Sequence, residues 1–177
     1  MTVIAFLFEV LSSLYLGALL YRLLLQWVRA DFRSQAARGL VQVTNPVVLP
    51  LRRLLPAVWR VDTGTVVALL VLTALQVAVL QVLAGLAPLA DPAVFALFCL
   101  RALIRLVLHV YLYSLIVHAL LSLLGQGGHS PVQPLLAAVC NPLLRPFRRL
   151  PSPTGWDLSP LWAALAIQAL LLLPPLR

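Results

Sequence analysis

From Thr63 to Leu86 the chain runs without one charged side chain. As a helix, that stretch is long enough to cross a hydrocarbon core of about 30 Å. The rest of the sequence offers little with which to cover it in water. Of 177 residues, 62% are hydrophobic and only 10% charged, with a mean hydropathy of +1.01. Such a chain cannot clothe a globular surface, and the fold class expected is an all-α membrane protein.

Three further apolar stretches flank this one. Thr2 to Val28 is interrupted only by Glu9 and Arg22. It has neither a basic start nor an A-x-A cleavage site, so it reads as a retained helix. Ala93 to Leu124 carries Arg101 and Arg105 well inside it. One straight helix of that length would overrun the bilayer. The expectation is therefore an interfacial start, with the crossing proper beginning near Arg101 or Arg105. Asp157 to Leu173 is a short last crossing, opened by Ser159-Pro160 and closed by Pro174-Pro175. The sequence thus predicts about four transmembrane helices, over residues ~2–28, ~63–86, ~101–124 and ~157–173.

One stretch occurs twice. Asn45 to Leu54 reads NPVVLPLRRL and Asn141 to Leu150 reads NPLLRPFRRL. The offset is 96 residues at Asn45/Asn141, Pro46/Pro142, Pro50/Pro146 and the arginine pairs Arg52-Arg53/Arg148-Arg149. A proline and an acid follow each copy, Pro56 with Asp62 and Pro151 with Asp157, the acids being 95 residues apart. The chain divides accordingly into two repeats, 1–90 and 91–177, with basic loops at 29–62 and 125–156. Because their first helices run the same way, the halves are parallel repeats about an axis along the membrane normal. Asn45 and Pro46 read as a helix cap and first residue. Pro50 should then break what begins there. Each loop is expected to be a short, broken-helix segment lying at the membrane surface. A short helix over Ser34–Val43 would precede the first.

Charge sets the orientation. The formal net charge of +8 is all arginine, since the chain has no lysine, and nine of thirteen arginines lie in the two loops. The positive-inside bias puts those loops in the cytoplasm and both termini outside. It also accounts for the charge without specific nucleic-acid binding.

Few residues suit chemistry. There are no paired carboxylates, no G-x-S-x-G, HExxH or P-loop, and five acidic residues in all, so no enzyme is expected. Cys99 and Cys140 form no CxxC and read as small buried thiols. No metal site and no cofactor is expected. His109 and His118 project from roughly opposite helix faces and cannot chelate one metal. Either is an axial haem ligand in principle, but a hydrogen-bonded intramembrane histidine is the simpler reading. The intramembrane polar residues are Glu9, Arg22, Arg105 and His118. Under the repeat offset Glu9 falls on Arg105 and Arg22 on His118. Glu9 and Arg105 then share a depth and are candidates to pair, or each snorkels on its own. Arg22 lies within snorkelling reach of the cytoplasmic phosphates. Arg52, Arg53, Arg148 and Arg149 are the candidate lipid- or partner-binding residues, a four-guanidinium patch if the two turns meet. Asp62 and Asp157 are placed to clamp them, and Asp62 with Thr63 reads as the cap of the next helix.

The doubled N-P-x-x-x-P-x-R-R-L with its following proline and aspartate resembles the YggT family. Tyr15, Arg22, Gln26-Trp27 and Asp31-Phe32 extend the likeness through the first helix and its exit. Leu123 departs from it where a tryptophan matching Trp27 is usual, and so does the shortened LPSPTGWD turn. The resemblance implies a small inner-membrane protein of two YGGT repeats. It also implies non-enzymatic roles in cell division and nucleoid distribution, in assembly of a plastid cytochrome complex, or in osmotic tolerance. The function expected is a scaffold or assembly factor. Its partners would be the bilayer and its anionic headgroups, a membrane protein of the division or assembly machinery, and another copy of itself. The competing reading is a small oligomeric channel or transporter lined by Glu9, Arg22, Gln76, Gln81, Arg105 and His118.

Overall fold

The computed structural model describes residues 3–28, 34–54, 62–85, 91–123, 132–147 and 159–173. Among these the chain is all helix: α1 (Val3–Trp27), α2 (Gln35–Leu54), α3 (Thr63–Leu83), α4 (Pro92–Leu123), α5 (Gln133–Leu144) and α6 (Ser159–Leu171). Three helices, α1, α3 and α4, are long and apolar enough to cross a membrane, whereas α5 and α6 are shorter apolar helices.

Two helical pairs carry the architecture. α1 packs on α3, α4 packs on α6, and α4 joins the halves by packing on both α1 and α3. Near the middle of α1 the lack of a side chain at Gly17 brings the helix against α4, where an added Cβ would sit 3.6 Å from Val110. The first core gathers Leu16, Leu19, Leu20, Val48, Ala68 and Leu69 from α1, α2 and α3. A second gathers Leu115, Cys140, Leu144, Ala163 and Ile167 from α4, α5 and α6. Leu25, Ala37, Leu135 and Val139 form a third at the end of α1, where α2 and α5 approach it together. The twofold relation is approximate. α5 packs on α1, but among the described residues no comparable packing joins α2 to α4, or α6 to α1.

Lipid is as apolar as leucine, so burial alone does not hold such helices together. Close packing and interhelical hydrogen bonds do. Gln76 of α3 supplies one such link, its Nε2 donating to Ser12 Oγ at 2.8 Å and to Ser13 Oγ at 3.0 Å on α1. α3 ends where Gly85 takes the left-handed conformation at φ 71°, its N–H donating to the Val82 carbonyl at 3.0 Å.

Three expectations are corrected. α2 is one continuous helix of 20 residues, with Asn45, Pro46 and Pro50 inside it rather than at a start or a break. Both prolines lie on its exposed face, so the carbonyls they leave without donors are not sealed in the protein. On the other face Val48 is buried with half-buried Leu51 against α1 and α3, Ala37 is buried with half-buried Leu40 against α1 and α5, and Thr44 is buried between them; this packing outweighs the local proline penalty. α5 likewise contains Asn141 and Pro142 but stops at Leu144, before Pro146. α4 runs unbroken for 32 residues from Pro92, so neither Arg101 nor Arg105 marks its start. α6 begins at Ser159 and has 13 residues. Pro56, Arg148, Arg149, Pro151 and Asp157 lie outside the described residues, as do Asp31-Phe32 and the whole LPSPTGWD turn.

Candidate functional site

The polar centre of the first half is Asp62, at the N-cap of α3. Its backbone carbonyl opens the helix, accepting from the N–H groups of Thr65 at 2.9 Å and Val66 at 3.1 Å. Its carboxylate does not cap the helix and turns instead toward side chains. Arg52 of α2 donates from Nε to Oδ1 at 3.0 Å and Oδ2 at 2.9 Å, and from Nη2 to Oδ2. Thr65 donates its hydroxyl to Oδ2 at 2.6 Å. The carboxylate is 4% exposed although Arg52 is 42% exposed. The inner end of this ion pair is therefore shielded and its outer end reaches the surface.

Arg22 completes the arrangement from α1. It is 2% exposed. Its Nη1 donates to Thr44 Oγ1 at 2.7 Å and Asn45 Oδ1 at 3.0 Å, and its Nη2 lies 3.9 Å from Asp62 Oδ2. Thr44 in turn donates to the Leu40 carbonyl at 2.9 Å, which fixes its lone pairs toward the arginine. Arg22 therefore does not snorkel to phosphate. It turns inward because α2 offers two neutral oxygens and α3 a carboxylate, which replace water around a charge that is costly to leave bare in lipid. Its Nε alone is buried without an acceptor among the described residues.

Two guanidinium groups share one carboxylate, and the electrostatics follow. Burial pulls the Asp62 pKa upward, but the hydrogen bonds from Arg52 and Thr65 and the charges of Arg52 and Arg22 outweigh it. The net result lowers the Asp62 carboxyl from 3.8 to about 2. The Asp62 hydrogen bond correspondingly raises the Arg52 pKa. The close fit depends on Gly64: an added Cβ would fall 2.9 Å from Arg52 Cγ and 3.3 Å from both the Arg52 nitrogen and Asp62 Oδ1. The cluster is a clasp binding three helices to one carboxylate.

The other candidate residues are scattered. Arg53 is exposed on α2, next to the tethered Arg52. Arg148, Arg149 and Asp157 fall outside the described residues. Glu9 and Arg105 form no ion pair: the salt bridges of the described residues both converge on Asp62. Arg105 is exposed on α4, and His118 is half-buried on the same helix. Arg22 and Gln76 are bound in separate hydrogen-bonded sets. Burial pushes the Cys140 thiol up to about 11, which keeps it neutral in its core. No group of His, Cys, Asp and Glu able to hold a metal ion occurs among the described residues.

Thr44, Gly64 and Thr65 belong to the clasp but do not stand out in the sequence. Thr44 precedes the repeated stretch, and its counterpart at the 96-residue offset is Cys140, so the repeat conceals it. Gly64 and Thr65 look like ordinary first-turn residues. A hydroxyl three residues after Asp62 is a sequence signal that could have found Thr65.

The comparisons with known proteins agree along the whole chain. The CCB3/YggT family model matches residues 1–83 and 97–174, one segment in each half. An uncharacterised protein of Pseudomonas aeruginosa is 32% identical, covering 94% of this chain and 85% of its own. A Vibrio alginolyticus protein, described as uncharacterised and in the proC 3' region, is 33% identical over 95% of this chain and 91% of its own. The Escherichia coli K12 protein YggT, also described as uncharacterised, is 32% identical over 94% and 86%. No solved structure matches. With both halves matched by the family model and full-length relatives at this identity, the chain belongs to the CCB3/YggT family.

Proposed function

We propose that this protein is a non-enzymatic scaffold or assembly factor of the bacterial inner membrane, and that α2 is its docking element for anionic headgroups. α6 would make the fourth crossing, with the arginine-bearing loops cytoplasmic and both termini outside. The observation that carries the reading is the exposed face of α2. It holds Arg38, Gln42 and Arg53 among Val43, Pro46, Leu49 and Pro50, while the clasp fixes the opposite face. An exposed helix face mixing arginines with apolar residues suits the headgroup boundary of an anionic leaflet. An acidic partner protein would meet the same arginines.

The full-length protein in nanodiscs of equal phosphatidylglycerol and phosphatidylcholine provides the test, with retained lipid read by native mass spectrometry. Phosphatidylglycerol should be retained preferentially. At about 1 kcal/mol per basic residue, Arg38→Gln with Arg53→Gln should reduce that preference roughly 30-fold. Equal retention of the two lipids, or a preference unchanged in the double variant, would remove the lipid-docking role.

A further inference from the structure

At the opposite end of the bundle the two halves reach different heights. α3 has 21 residues, about 31 Å of helix, enough for a hydrocarbon core of about 30 Å. Its counterpart α6 has 13, about 20 Å. The register of α6 on α4 shows where it stops. Leu115 shares a core with Ala163 and Ile167, and Leu108 and Leu171 pack at the edge of the same core. The last turn of α6 is thus about level with Leu108, and α4 continues beyond it toward Pro92 with Leu97, Phe98, Leu100 and Ile104 all exposed.

Arg105 and Arg101 stand in that uncovered part of α4, three and seven residues past Leu108. Arg105 is exposed, and Arg101 is half-buried with its guanidinium 5.8 Å from the centre of the Phe98 ring. Among the described residues neither has a carboxylate partner. One turn deeper, His109 spends Nδ1 on the Arg105 carbonyl at 2.8 Å and does not compensate the charge. Two guanidinium groups without a carboxylate partner among the described residues, one helical turn apart, lie beyond the end of α6, whose 13 helical residues fall about 10 Å short of the hydrocarbon core.

We propose that the leaflet on this side is thinned over α6, and that Arg101 and Arg105 hold a lipid phosphate drawn down into the gap. A short segment is accommodated by local thinning, by snorkelling side chains or by covering with another chain. Charge complementarity selects the phosphate. A second copy would bring the same arginines, and Glu9, the acid at matching depth in the other repeat, sits half-buried on α1. This lipid is in the leaflet away from α2, so the inference stands or falls apart from the docking role of that helix.

The experiment places a nitroxide at Leu172→Cys, an exposed position just past α6, in full-length protein carrying Cys99→Ser and Cys140→Ala. In liposomes of phosphatidylethanolamine and phosphatidylglycerol, the collision rates with oxygen and with a water-soluble nickel chelate report depth. The label should read as headgroup-level in the protein with both arginines. Arg101→Gln with Arg105→Gln should raise the oxygen-to-nickel ratio several-fold as hydrocarbon closes over α6. A hydrocarbon reading with both arginines present, which needs no charge variant, overturns the proposal. So does a ratio unchanged by the double substitution, or spin–spin broadening showing that a second copy covers α4.

Discussion

The two halves share an apolar template and differ in what is laid beside it. Leu19, Val48 and Ala68 of the first core correspond to Leu115, Leu144 and Ala163 of the second at the repeat offsets, and all six are buried. Around this common packing, four members of the clasp change identity: Gly64 becomes Ser159, Thr65 becomes Pro160, and two more bear on the buried charge. The Arg22 position becomes His118 and the Thr44 position becomes Cys140. A permanent cation and its hydroxyl acceptor are thereby replaced by a titratable ring and a thiol. The Gln76 link is also private to the first half, since the corresponding position is Leu171. The clasp grips α2 beyond Pro50, whereas α5 ends before Pro146, and the counterparts Arg148 and Asp157 lie outside the described residues.

The comparison can be broken most decisively at Asp62. Asp62→Asn leaves Arg22 buried without its carboxylate and should cost about 3–5 kcal/mol, read by reversible unfolding in mixed micelles. Cys140→Ala, in the other core, should cost far less. Equal effects would mean that the clasp adds nothing to the shared packing. Acid tests the same group. Asp62 has a folded pKa of about 2, below its ordinary 3.8, so its contribution is complete above about pH 4 and lost as pH falls toward 2. That loss is on the order of 2 kcal/mol and should vanish from the pH profile of Asp62→Asn. Gly64→Ala forces a Cβ against Arg52 and should cost about 1–3 kcal/mol. Gly39→Ala, with no atom within 4 Å of the new Cβ, should be neutral or stabilising by about 0.5–1 kcal/mol. Importing the second half's residue as Thr44→Cys removes an acceptor from Arg22 and should cost about 1–2 kcal/mol. The smallest loss expected in the clasp and its neighbouring link is that of Gln76→Leu, about 0.6–1 kcal/mol, since Ser12 already bonds the Phe8 carbonyl at 2.6 Å.

Much of the scaffold was legible from apolar length alone. α1 and α3 begin and end within a few residues of where the charge-poor stretches do, because a helix crossing lipid has few alternatives. The end of α4 was legible too, but its start was not, because a charged residue such as Arg101 or Arg105 need not begin a helix. The continuity of α2 was hidden for a different reason. Local rules price Pro46 and Pro50 correctly, but the contacts that hold the helix past them come from Arg22 and Asp62, which lie on other helices. Arg22 was misread in the same way: its distance from the end of α1 said snorkelling, and nothing nearby in sequence announced Thr44 and Asn45 as its receivers. Among the candidate residues, the nearness of Arg52 and Asp62 could be anticipated from their spacing around one turn.

The dependence of Arg22 on later residues has a consequence for biogenesis. Synthesis runs from the N-terminus, so α1 reaches the bilayer before Thr44, Asn45 or Asp62 exists. An arginine in a helix entering lipid costs up to about 2.5–3.5 kcal/mol at the helix centre, and less toward the end of α1 where Arg22 lies. The long apolar remainder of α1 must therefore carry an unsheltered charge until some 40 further residues have emerged. Arrival of α3, with Asp62 at its start, then converts a tolerated helix into a fixed one. The order of emergence makes α2 the last element of the first half to settle, although it is made before α3.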